Sequence, residues 1–263
     1  MRLDVFDKVN HLDLADSYHQ IALAHALKGN YGEEMSDYET ALDIREDVFG
    51  DCNHPDIAQT YNNMGSVSPS QGEYEKALDY YKKAHKMRED LYEGDHPDKA
   101  DSIDNIGVVH YKKGQNKEAL ICYEESLEMR RRVYKNKDHS DLAVSYNNMG
   151  TAKLSERDYK AALDWFLKAQ KMRWRIFGET DRYHIADDYY NIGYAQLQLG
   201  DYESALTSLE EALNMWGGLY EGRCHRDIRN ATILRRSANV YKTCREIKVI
   251  GTQGMDYNQT CIF

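Results

Sequence analysis

Apolar and small residues recur along this chain at the spacing of one face of an α-helix. In the segment after Gly72 they are separated by one, three, three and three residues, at Ala77, Leu78, Tyr81, Ala84 and Met87. Lysine, glutamate and aspartate fill most positions between them, and no strand-like alternation of apolar and polar residues occurs. A helix with such a stripe is amphipathic and buries the stripe against another helix. The pattern therefore predicts an all-α protein.

The helical pattern returns at a nearly constant interval. Pairs of small residues seven apart mark one helix of each unit, and successive pairs are 43, 42, 43 and 43 residues apart. We call these small residues the anchors of the first helices: Ala15/Ala22, Ala58/Gly65, Ala100/Gly107, Ala143/Gly150 and Ala186/Gly193. A fixed period of this length predicts a solenoid, because such a unit cannot bury its apolar face alone and stacks on its neighbours.

A second amphipathic helix follows each first helix, as in GEYEKALDYYKKAHKMR from Gly72. A single residue at position 29, 72, 114, 157 or 200 separates the two helices, and it is glycine in every unit except that of Arg157. Glycine is favoured at a helix C-terminus because it accepts a positive φ. Each unit is therefore predicted to be an antiparallel helical hairpin.

Short motifs that begin with histidine precede four of the first helices. They read His-Pro-Asp at His54 and His96, His-Ser-Asp at His139 and His-Leu-Asp at His11. Proline suits the first helical position, where the missing N–H has no helical partner, and aspartate adds favourable negative charge to the first turn. Each phrase predicts a turn and a helix start. No metal site is expected, because repeat-related histidines separate along a stack and cannot converge on one ion.

These signals give the predicted domain organisation. Repeats are expected near 11–53, 54–95, 96–138, 139–183 and 184–224, with a half repeat at 225–248, so that the solenoid spans 11–248. The half repeat is anchored near Ala231 and Ala238. Pro69 predicts a kink or an early end of its helix near residues 66–69, because it removes a backbone hydrogen bond. Residues 249–263 show no apolar stripe, which predicts a disordered tail.

The first residues resemble the end of a second helix. MRLDVFDKVNH at residues 1–11 aligns with IREDVFGDCNH at residues 44–54. Residues 1–10 are therefore predicted to be the end of a preceding repeat or an N-terminal cap. We expect the chain to be a fragment or short isoform of a longer array, which in-frame coding sequence upstream would establish.

Charge and cysteine content narrow the function classes. The net charge of −10 argues against binding to nucleic acid, because contact with phosphate groups needs a positively charged surface. Residues 223–248 are an exception with a net charge of +6, and they either neutralise an acidic neighbouring helix or face an acidic partner. Five cysteines without a paired framework, and the lack of a long apolar run or signal peptide, predict a cytoplasmic protein with no membrane partner.

The repeated unit resembles the tetratricopeptide repeat. The second unit carries the family's order of aromatic, aliphatic, glycine, aromatic, alanine, aromatic and alanine residues at Tyr61, Met64, Gly65, Tyr74, Ala77, Tyr81 and Ala84. The units here are longer than those of most family members and are similar to the repeats of kinesin light chain and of nephrocystin-type arrays. The resemblance implies a right-handed superhelical solenoid of antiparallel hairpins that binds peptides on its concave face.

Polar residues just before the second anchor of each first helix are the candidate peptide-binding residues. They are Asn62, Asn63, Asp104, Asn105, Asn147, Asn148, Tyr190 and Asn191. An asparagine side chain both donates and accepts hydrogen bonds, so a ladder of them could hold the backbone of an extended peptide. The residue two before the anchor is the favoured contact. Alternatively, one asparagine of each pair bonds the neighbouring repeat and keeps the hairpins in register.

No catalytic or nucleotide-binding motif is found, and the carboxylates are spread over solvated helix faces, so we predict neither enzymatic activity nor a cofactor. The leading prediction is a protein-interaction scaffold that binds an extended peptide segment. A kinesin light chain-like cargo adaptor and the repeat region of a larger signalling NTPase are the alternatives. Upstream heptads would favour the adaptor, and an upstream P-loop the NTPase. The oligomeric state and the partner stay open.

Overall fold

The computed structural model describes residues 2–50, 52–68, 72–178, 180–219 and 225–255, and the side chains of residues 2–10 and 246–255 lie outside that description. Within these residues the chain forms eleven α-helices. They are α1 (Arg2–Lys28), α2 (Tyr31–Phe49), α3 (Pro55–Val67), α4 (Tyr74–Leu91), α5 (Pro97–Lys112), α6 (Asn116–Val133), α7 (Ser140–Ser155), α8 (Tyr159–Phe177), α9 (Arg182–Leu199), α10 (Tyr202–Leu219) and α11 (Arg226–Met255).

The helices belong to two compact units, Met1–Lys137 and Asp138–Phe263. In the first unit α1 packs against α2, α3 against α4 and α5 against α6, while α2 also contacts α3 and α4 contacts α5. In the second unit α7 packs against α8 and α9 against α10, while α8 contacts α9 and α10 contacts α11. Odd-numbered helices are first helices and even-numbered ones are second helices. The predicted fold class, an all-α stack of helical hairpins, is confirmed.

The turn inside each hairpin has the backbone geometry that the sequence predicts. Its central residue has a positive φ of 73°, 79°, 76°, 61° and 78° at Gly29, Gly72, Gly114, Arg157 and Gly200, respectively. This left-handed conformation costs most non-glycine residues about 1 kcal/mol, which explains why glycine fills four of the five turns.

The glycine anchors of α3, α5, α7 and α9 each lie directly against a large side chain of the second helix in the same hairpin. A Cβ atom added to Gly65 would lie 2.8 Å from the ring of Tyr81, and one added to Gly150 would lie 2.5 Å from the ring of Phe166. These distances are shorter than carbon atoms tolerate, so the two helices can approach this closely only where the anchor has no side chain. Gly107 with Tyr123 and Gly193 with Leu209 repeat the arrangement.

Histidine side chains cap the N-termini of four first helices, α3, α5, α7 and α11, and on α11 the Nδ1 atom of His225 accepts from the backbone N–H of Asp227 over 3.4 Å. The Nδ1 atoms of His54, His96 and His139 accept hydrogen bonds from the backbone N–H groups two residues later, at 3.2, 3.2 and 3.3 Å. Each ring therefore satisfies one of the unpaired N–H groups of a helix N-terminus. Two of the rings also stack on the aromatic residue that ends the preceding hairpin, since Phe49 and Tyr92 lie 3.6 Å from His54 and His96 between ring centroids.

The turn predicted at His11 does not occur, because α1 continues without interruption from Arg2 to Lys28. Leu12 stands where Pro55 and Pro97 follow the other histidines, and no glycine precedes His11. Without a residue that stops the helix, the segment continues the helical pattern of its neighbours. Residues 2–10, predicted to be the end of a preceding repeat or an N-terminal cap, form the first part of α1. In the second repeat α3 ends at Val67, and Pro69 itself lies outside the described residues.

The last helix departs from the repeat in two ways. It continues past Lys248, the last residue before the predicted tail of residues 249–263, to Met255, and residues 256–263 lie outside the description. Its buried residues Ala231 and Ala238 face α10 and are completely covered. Counted from the capping histidine, His225, they match Thr60 and Val67 of α3 rather than the anchors, so the predicted anchoring was wrong. The positions equivalent to the anchors are exposed arginines, Arg229 and Arg236.

Part of the basic stretch serves the contact between α11 and α10. The Nζ atom of Lys242 lies 3.1 Å from Oε1 of Glu203, and Arg245 donates a hydrogen bond of 3.2 Å to the carbonyl oxygen of Gly200. No helix within the described residues is long and apolar enough to cross a membrane.

Candidate functional site

The candidate peptide-binding residues lie on four first helices, α3, α5, α7 and α9, two or three residues before the second anchor. We call these positions the wall. All of the predicted side chains there are partly exposed except that of Asp104. His19, which the prediction omitted, occupies the equivalent position three residues before Ala22 on α1.

Hydrogen bonds join wall residues of neighbouring repeats in the first unit. Asn105 donates from Nδ2 to Oδ1 of Asn62 over 2.9 Å. The Nδ2 atom of Asn63 lies 3.0 Å from Nε2 of His19, and the Oδ1 atom of Asn63 accepts a hydrogen bond of 2.9 Å from Gln59. In both pairs, the residue two before one anchor bonds the residue three before the preceding anchor.

The second unit repeats this bond, since Asn191 donates from Nδ2 to Oδ1 of Asn147 over 3.0 Å. The geometry thus matches the alternative in which one asparagine of each pair holds the hairpins in register. Asn148 differs, because its side chain has no hydrogen-bond partner among the described residues. Of the favoured contacts Asn63, Asn105, Asn148 and Asn191, it is the one whose amide is entirely available to a ligand.

The bonded asparagines also keep hydrogen-bonding capacity. A side-chain amide has two N–H donors and an oxygen with two lone pairs. The bond between Asn105 and Asn62 uses one donor of Asn105 and one acceptor site of Asn62. The remaining groups could pair with the N–H and C=O groups of an extended chain.

Asp104, one of the predicted peptide-binding residues, is buried. It is only 5% exposed, and its carboxylate accepts a hydrogen bond from Arg130. Arg130 also donates to Asp101 over 2.6 Å. The carboxylate is therefore part of the buried packing of the hairpin and is not open to a peptide.

Tyr190 is half-buried, and its ring centroid lies 5.8 Å from that of Trp216. Burial raises the pKa of its hydroxyl, with smaller contributions from Tyr194 and Asp227. Its aromatic face belongs to the core cluster of α9, α10 and α11. Tyr190 is therefore partly a packing residue of this cluster, and only its exposed part is available at the wall.

The sequence reasoning missed a set of buried arginines near the end of the second helices. Arg45, Arg88, Arg130 and Arg173 are between 3% and 6% exposed. Arg88 donates to Oγ of Ser102 over 2.7 Å, to the carbonyl oxygen of Asp98 over 2.9 Å and to Oε1 of Gln59 over 2.9 Å. One guanidinium thus joins the first helix of its own hairpin to that of the next. The signal was present, since an Ile-Arg or Met-Arg pair recurs in each of these helices.

Arg45 makes the equivalent bonds one repeat earlier. It donates to Asp16 over 2.6 Å on its own side and to Thr60 and the carbonyl oxygen of Asp56 on the other. Five donors in a planar fork allow arginine to satisfy several acceptors at once, which lysine could not do. These arginines fix the spacing of the first helices and therefore the spacing of the wall.

In the second unit, different residues occupy the position of the buried arginine and the position of its hydroxyl partner. Arg173 meets the carboxylate of Asp188 where Arg45 and Arg88 meet hydroxyl groups. Burial raises the pKa of Asp188 to about 7, and the positive charge of Arg173 opposes that rise. Trp216 takes the arginine position in the next hairpin and packs in one cluster with Ala231, which takes the hydroxyl position.

Asp187 loses its counter-charge through this replacement. It occupies the position of Asp16 and Asp101, which pair with arginines, but Trp216 supplies no positive charge. Burial raises the pKa of Asp187 to about 6, and the nearby carboxylate of Asp227 adds to the rise.

Open cavities lie beside two of the buried arginines, between consecutive first helices. One of about 270 Å³ is lined by Asp16, His19, Gln20, Arg45, Asp56 and Gln59. Another of about 360 Å³ is lined by Ser140, Val144, Arg173, Phe177, Thr180, Asp181 and His184. Burial, and then the charge of Arg45, lowers the pKa of His19, so its ring is neutral at physiological pH and can accept or donate a hydrogen bond. Each cavity could receive one side chain of a bound segment.

Comparison with protein families gives matches over most of the chain. Profiles described as tetratricopeptide repeat match residues 14–56, 56–132, 105–174 and 141–217. A search of curated proteins found no match.

Solved structures share the fold. BtubC (BKLC) from P. vanneervenii aligns with a TM-score of 0.69 and 20% identity, over 85% of this chain and 88% of that one. A P. anserina protein provisionally assigned as a kinesin light chain, with nearly identical TPR-like repeats, aligns with a TM-score of 0.63 and 14% identity, over 80% and 98%. A chain of the Cut9–Hcn1 heterotetramer of the APC/C aligns with a TM-score of 0.60 and 18% identity, over 85% and 36%.

Proposed function

Because the chain belongs to the tetratricopeptide repeat family, whose repeats generally mediate protein–protein interactions, we propose that it is a non-catalytic scaffold that binds an extended segment of a partner protein. The segment would lie along the wall residues of one unit, on α3 and α5 or on α7 and α9, with its backbone paired to the amide groups that these residues leave available. The observation that carries the proposal is the recurrence of partly exposed amides on α3, α5, α7 and α9.

The proposed role of the wall differs in one respect from that predicted by sequence. The bonds from Asn105 to Asn62 and from Asn191 to Asn147 hold neighbouring repeats together, so these amides offer only their remaining donors and acceptors. Asn148 offers all of its groups. A peptide backbone is a suitable ligand because it presents alternating N–H and C=O groups and makes no demand on side-chain chemistry.

The cavities beside Arg45 and Arg173 would provide sequence preference. The cavity on the second unit is lined by both apolar and polar groups, including Val144, Phe177, Asp181 and His184. The apolar part of one side chain of the segment could contact Val144 and Phe177, while a polar group of the same residue faces Asp181. Affinity in such sites depends on a few well-filled positions rather than on total area.

A cargo adaptor of the kinesin light chain kind is the second candidate. The P. anserina protein, provisionally assigned as a kinesin light chain, has the same fold at 14% identity. That similarity concerns the fold alone, so the adaptor role is supported by the same partly exposed amides as the scaffold.

Selection of peptides from a displayed random library, followed by hydrogen–deuterium exchange of the complex, tests the proposal. We expect peptides with micromolar Kd that slow exchange in α3, α5, α7 or α9 and leave the outer second helices unchanged. Protection confined to second helices, or failure of the library to yield any saturable binder, would argue against a peptide-binding wall.

A further inference from the structure

One of the four buried arginines lacks a hydrogen bond that the other three make. In those three, the Nη2 atom donates to a side chain on the first helix of the same hairpin. The acceptors are Asp16 for Arg45, Gln59 for Arg88 and Asp101 for Arg130, over 2.6, 2.9 and 2.6 Å. Arg173 donates from Nη1 to Asp188 and to the carbonyl oxygen of His184, and no acceptor among the described residues meets its Nη2 atom.

The acceptor is missing because Val144 stands in its place. Val144 occupies the position on α7 that Asp16, Gln59 and Asp101 occupy on the preceding first helices, and a valine side chain has no group that accepts a hydrogen bond. Arg173 is only 6% exposed, and together with Val144 it lines the cavity of about 360 Å³ described above. Buried polar groups are normally hydrogen-bonded, so this guanidinium favours a ligand that brings an acceptor into the cavity.

Asp181 adds an acceptor to the lining of the same cavity. Its side chain is 20% exposed, and its Oδ1 atom lies 2.6 Å from Nδ1 of His184. The charge of Arg173 is already balanced by Asp188. A carboxylate of a ligand would therefore be repelled by Asp181, and an ammonium group would be repelled by Arg173. A neutral amide avoids both repulsions and offers an acceptor to Arg173 and a donor to Asp181.

Gln59 shows how an amide side chain fits beside a buried arginine. Its Oε1 atom accepts the hydrogen bond of 2.9 Å from Arg88, and its Nε2 atom donates over 2.9 Å to the wall residue Asn63. One amide thus satisfies the guanidinium with its oxygen and a second polar group with its nitrogen. The cavity beside Arg173 has the same donor and a comparable acceptor, but the chain supplies no amide there.

We propose that this cavity binds a glutamine side chain of the partner segment. The amide oxygen accepts from Nη2 of Arg173, the amide nitrogen donates to Asp181, and the methylene groups contact Val144 and Phe177. Val144 precedes the wall residue Asn148 by four positions, one turn of α7, or about 6 Å along the helix axis. A backbone bound at Asn148 therefore brings a nearby residue to the cavity. This inference rests on the proposed binding of a segment at the wall.

The test begins with parallel selections from a displayed random peptide library. One selection uses the wild-type chain and the other uses Val144→Gln, whose new side chain takes the place that Gln59 has on α3. We expect glutamine to be enriched at one position of the peptides selected by the wild-type chain and not of those selected by Val144→Gln. Val240→Gln, at another exposed valine of the second unit, is the matched control and should select glutamine as the wild-type chain does.

Isothermal titration calorimetry of variant peptides then tests the two hydrogen bonds. Replacement of the enriched glutamine by methionine keeps the length of the side chain and removes both bonds, so the Kd should rise about tenfold. Replacement by glutamate should raise the Kd about fivefold through repulsion by Asp181. The Asp181→Asn chain should bind the glutamine and glutamate peptides about equally. This variant should fold, because the side chain of Asp181 makes no capping hydrogen bond to α9.

The possible failures separate this inference from the proposed function. Selected peptides without enriched glutamine, or with equal enrichment on Val144→Gln, would overturn the glutamine site and leave binding at the wall intact. The same holds if the methionine peptide binds as tightly as the glutamine peptide, or if the glutamate peptide binds more tightly. A library that yields no saturable binder contradicts the peptide-binding wall, and the glutamine site is then wrong with it.

Discussion

Arg173 on α8 donates a hydrogen bond to the carboxylate of Asp188 on α9, and neither side chain is more than 7% exposed. The equivalent partner of Arg88 is the hydroxyl of Ser102, and the equivalent pair in the last hairpin is Trp216 with Ala231. One structural position is thus filled by an arginine with an uncharged hydroxyl, by an ion pair and by an apolar pair. The two partners change together because a buried group needs a matching neighbour.

The ion pair predicts unequal effects of two substitutions. Arg173→Leu leaves the fully buried carboxylate of Asp188 without its counter-charge and should lower the free energy of unfolding by about 3–5 kcal/mol. Asp188→Ser recreates the pair of Arg88 with Ser102 and should cost less than half of that. Urea denaturation at pH 8, followed by circular dichroism, measures both changes.

The apolar version of the position provides a control. The double variant Arg173→Trp with Asp188→Ala copies the last hairpin and should be more stable than Arg173→Trp alone. If Arg173→Leu and Asp188→Ser cost the same, the charge on Asp188 is not what the arginine offsets, and our description of the pair is wrong.

Gly150 should not tolerate even a methyl group. In Gly150→Ala the new Cβ would lie 2.5 Å from the ring of Phe166, so α7 and α8 must move apart. Overpacking of this kind costs about 1–3 kcal/mol, more than the roughly 1 kcal/mol that alanine gains in helix propensity. We expect a lower melting temperature, measured by circular dichroism. Gly217→Ala, where no atom lies within 4 Å of the added Cβ, is the control and should not lower it.

The hairpins and their turns were predictable because local chemistry determines them. A positive φ at Gly29 or Gly72 and a helix start after His54 depend on residues a few positions away. The second anchors were visible because a close helix contact requires a small residue at a fixed place, as for Gly150 beside Phe166. The absence of a turn at His11 could also have been inferred, since the residues there include neither proline nor glycine.

The candidate site was less predictable because its bonds join residues more than 40 positions apart. Asn105 and Asn62 have the same side chains whether they face a ligand or each other, so the sequence alone does not distinguish the two arrangements. In the structure they form a hydrogen bond with each other. Asp104 looked like a solvated carboxylate until Arg130 was placed beside it. Long arginine side chains reach across two helices, so their partners follow from the stacking of hairpins and not from sequence spacing.

Asp187 predicts a pH-dependent effect on stability. Burial and Asp227 raise its pKa to about 6 in the folded chain, while His184 and Arg173 oppose the rise. The folded state therefore binds the proton more tightly than the unfolded state, whose carboxyl titrates near its ordinary pKa of 3.8. Between these two pKa values, ionisation of Asp187 lowers stability as the pH rises, and above about pH 6 the full cost is present.

Asp187→Asn removes this cost. The variant should be more stable than the wild-type chain at pH 8 by about 1 kcal/mol, reduced from the fully buried case because the side chain is partly exposed, and equally stable near pH 4. Urea denaturation across this range measures the difference. Asp164→Asn, which removes an exposed carboxylate of α8, is the matched control. A constant difference at every pH would mean that ionisation of Asp187 is not its cause.

The central claim is that amide groups of the wall bind the backbone of a partner segment, and Asn148 tests it most directly. Its side chain has no hydrogen-bond partner among the described residues, so Asn148→Ala should leave the melting temperature unchanged. Asn214→Ala, at an exposed position of the second helix α10, is the matched control. The decisive measurement is the Kd of a library-selected peptide for the two variants and the wild-type chain, by isothermal titration calorimetry. We predict binding about tenfold weaker for Asn148→Ala and unchanged for Asn214→Ala, whereas equal affinity of all three chains would contradict the claim.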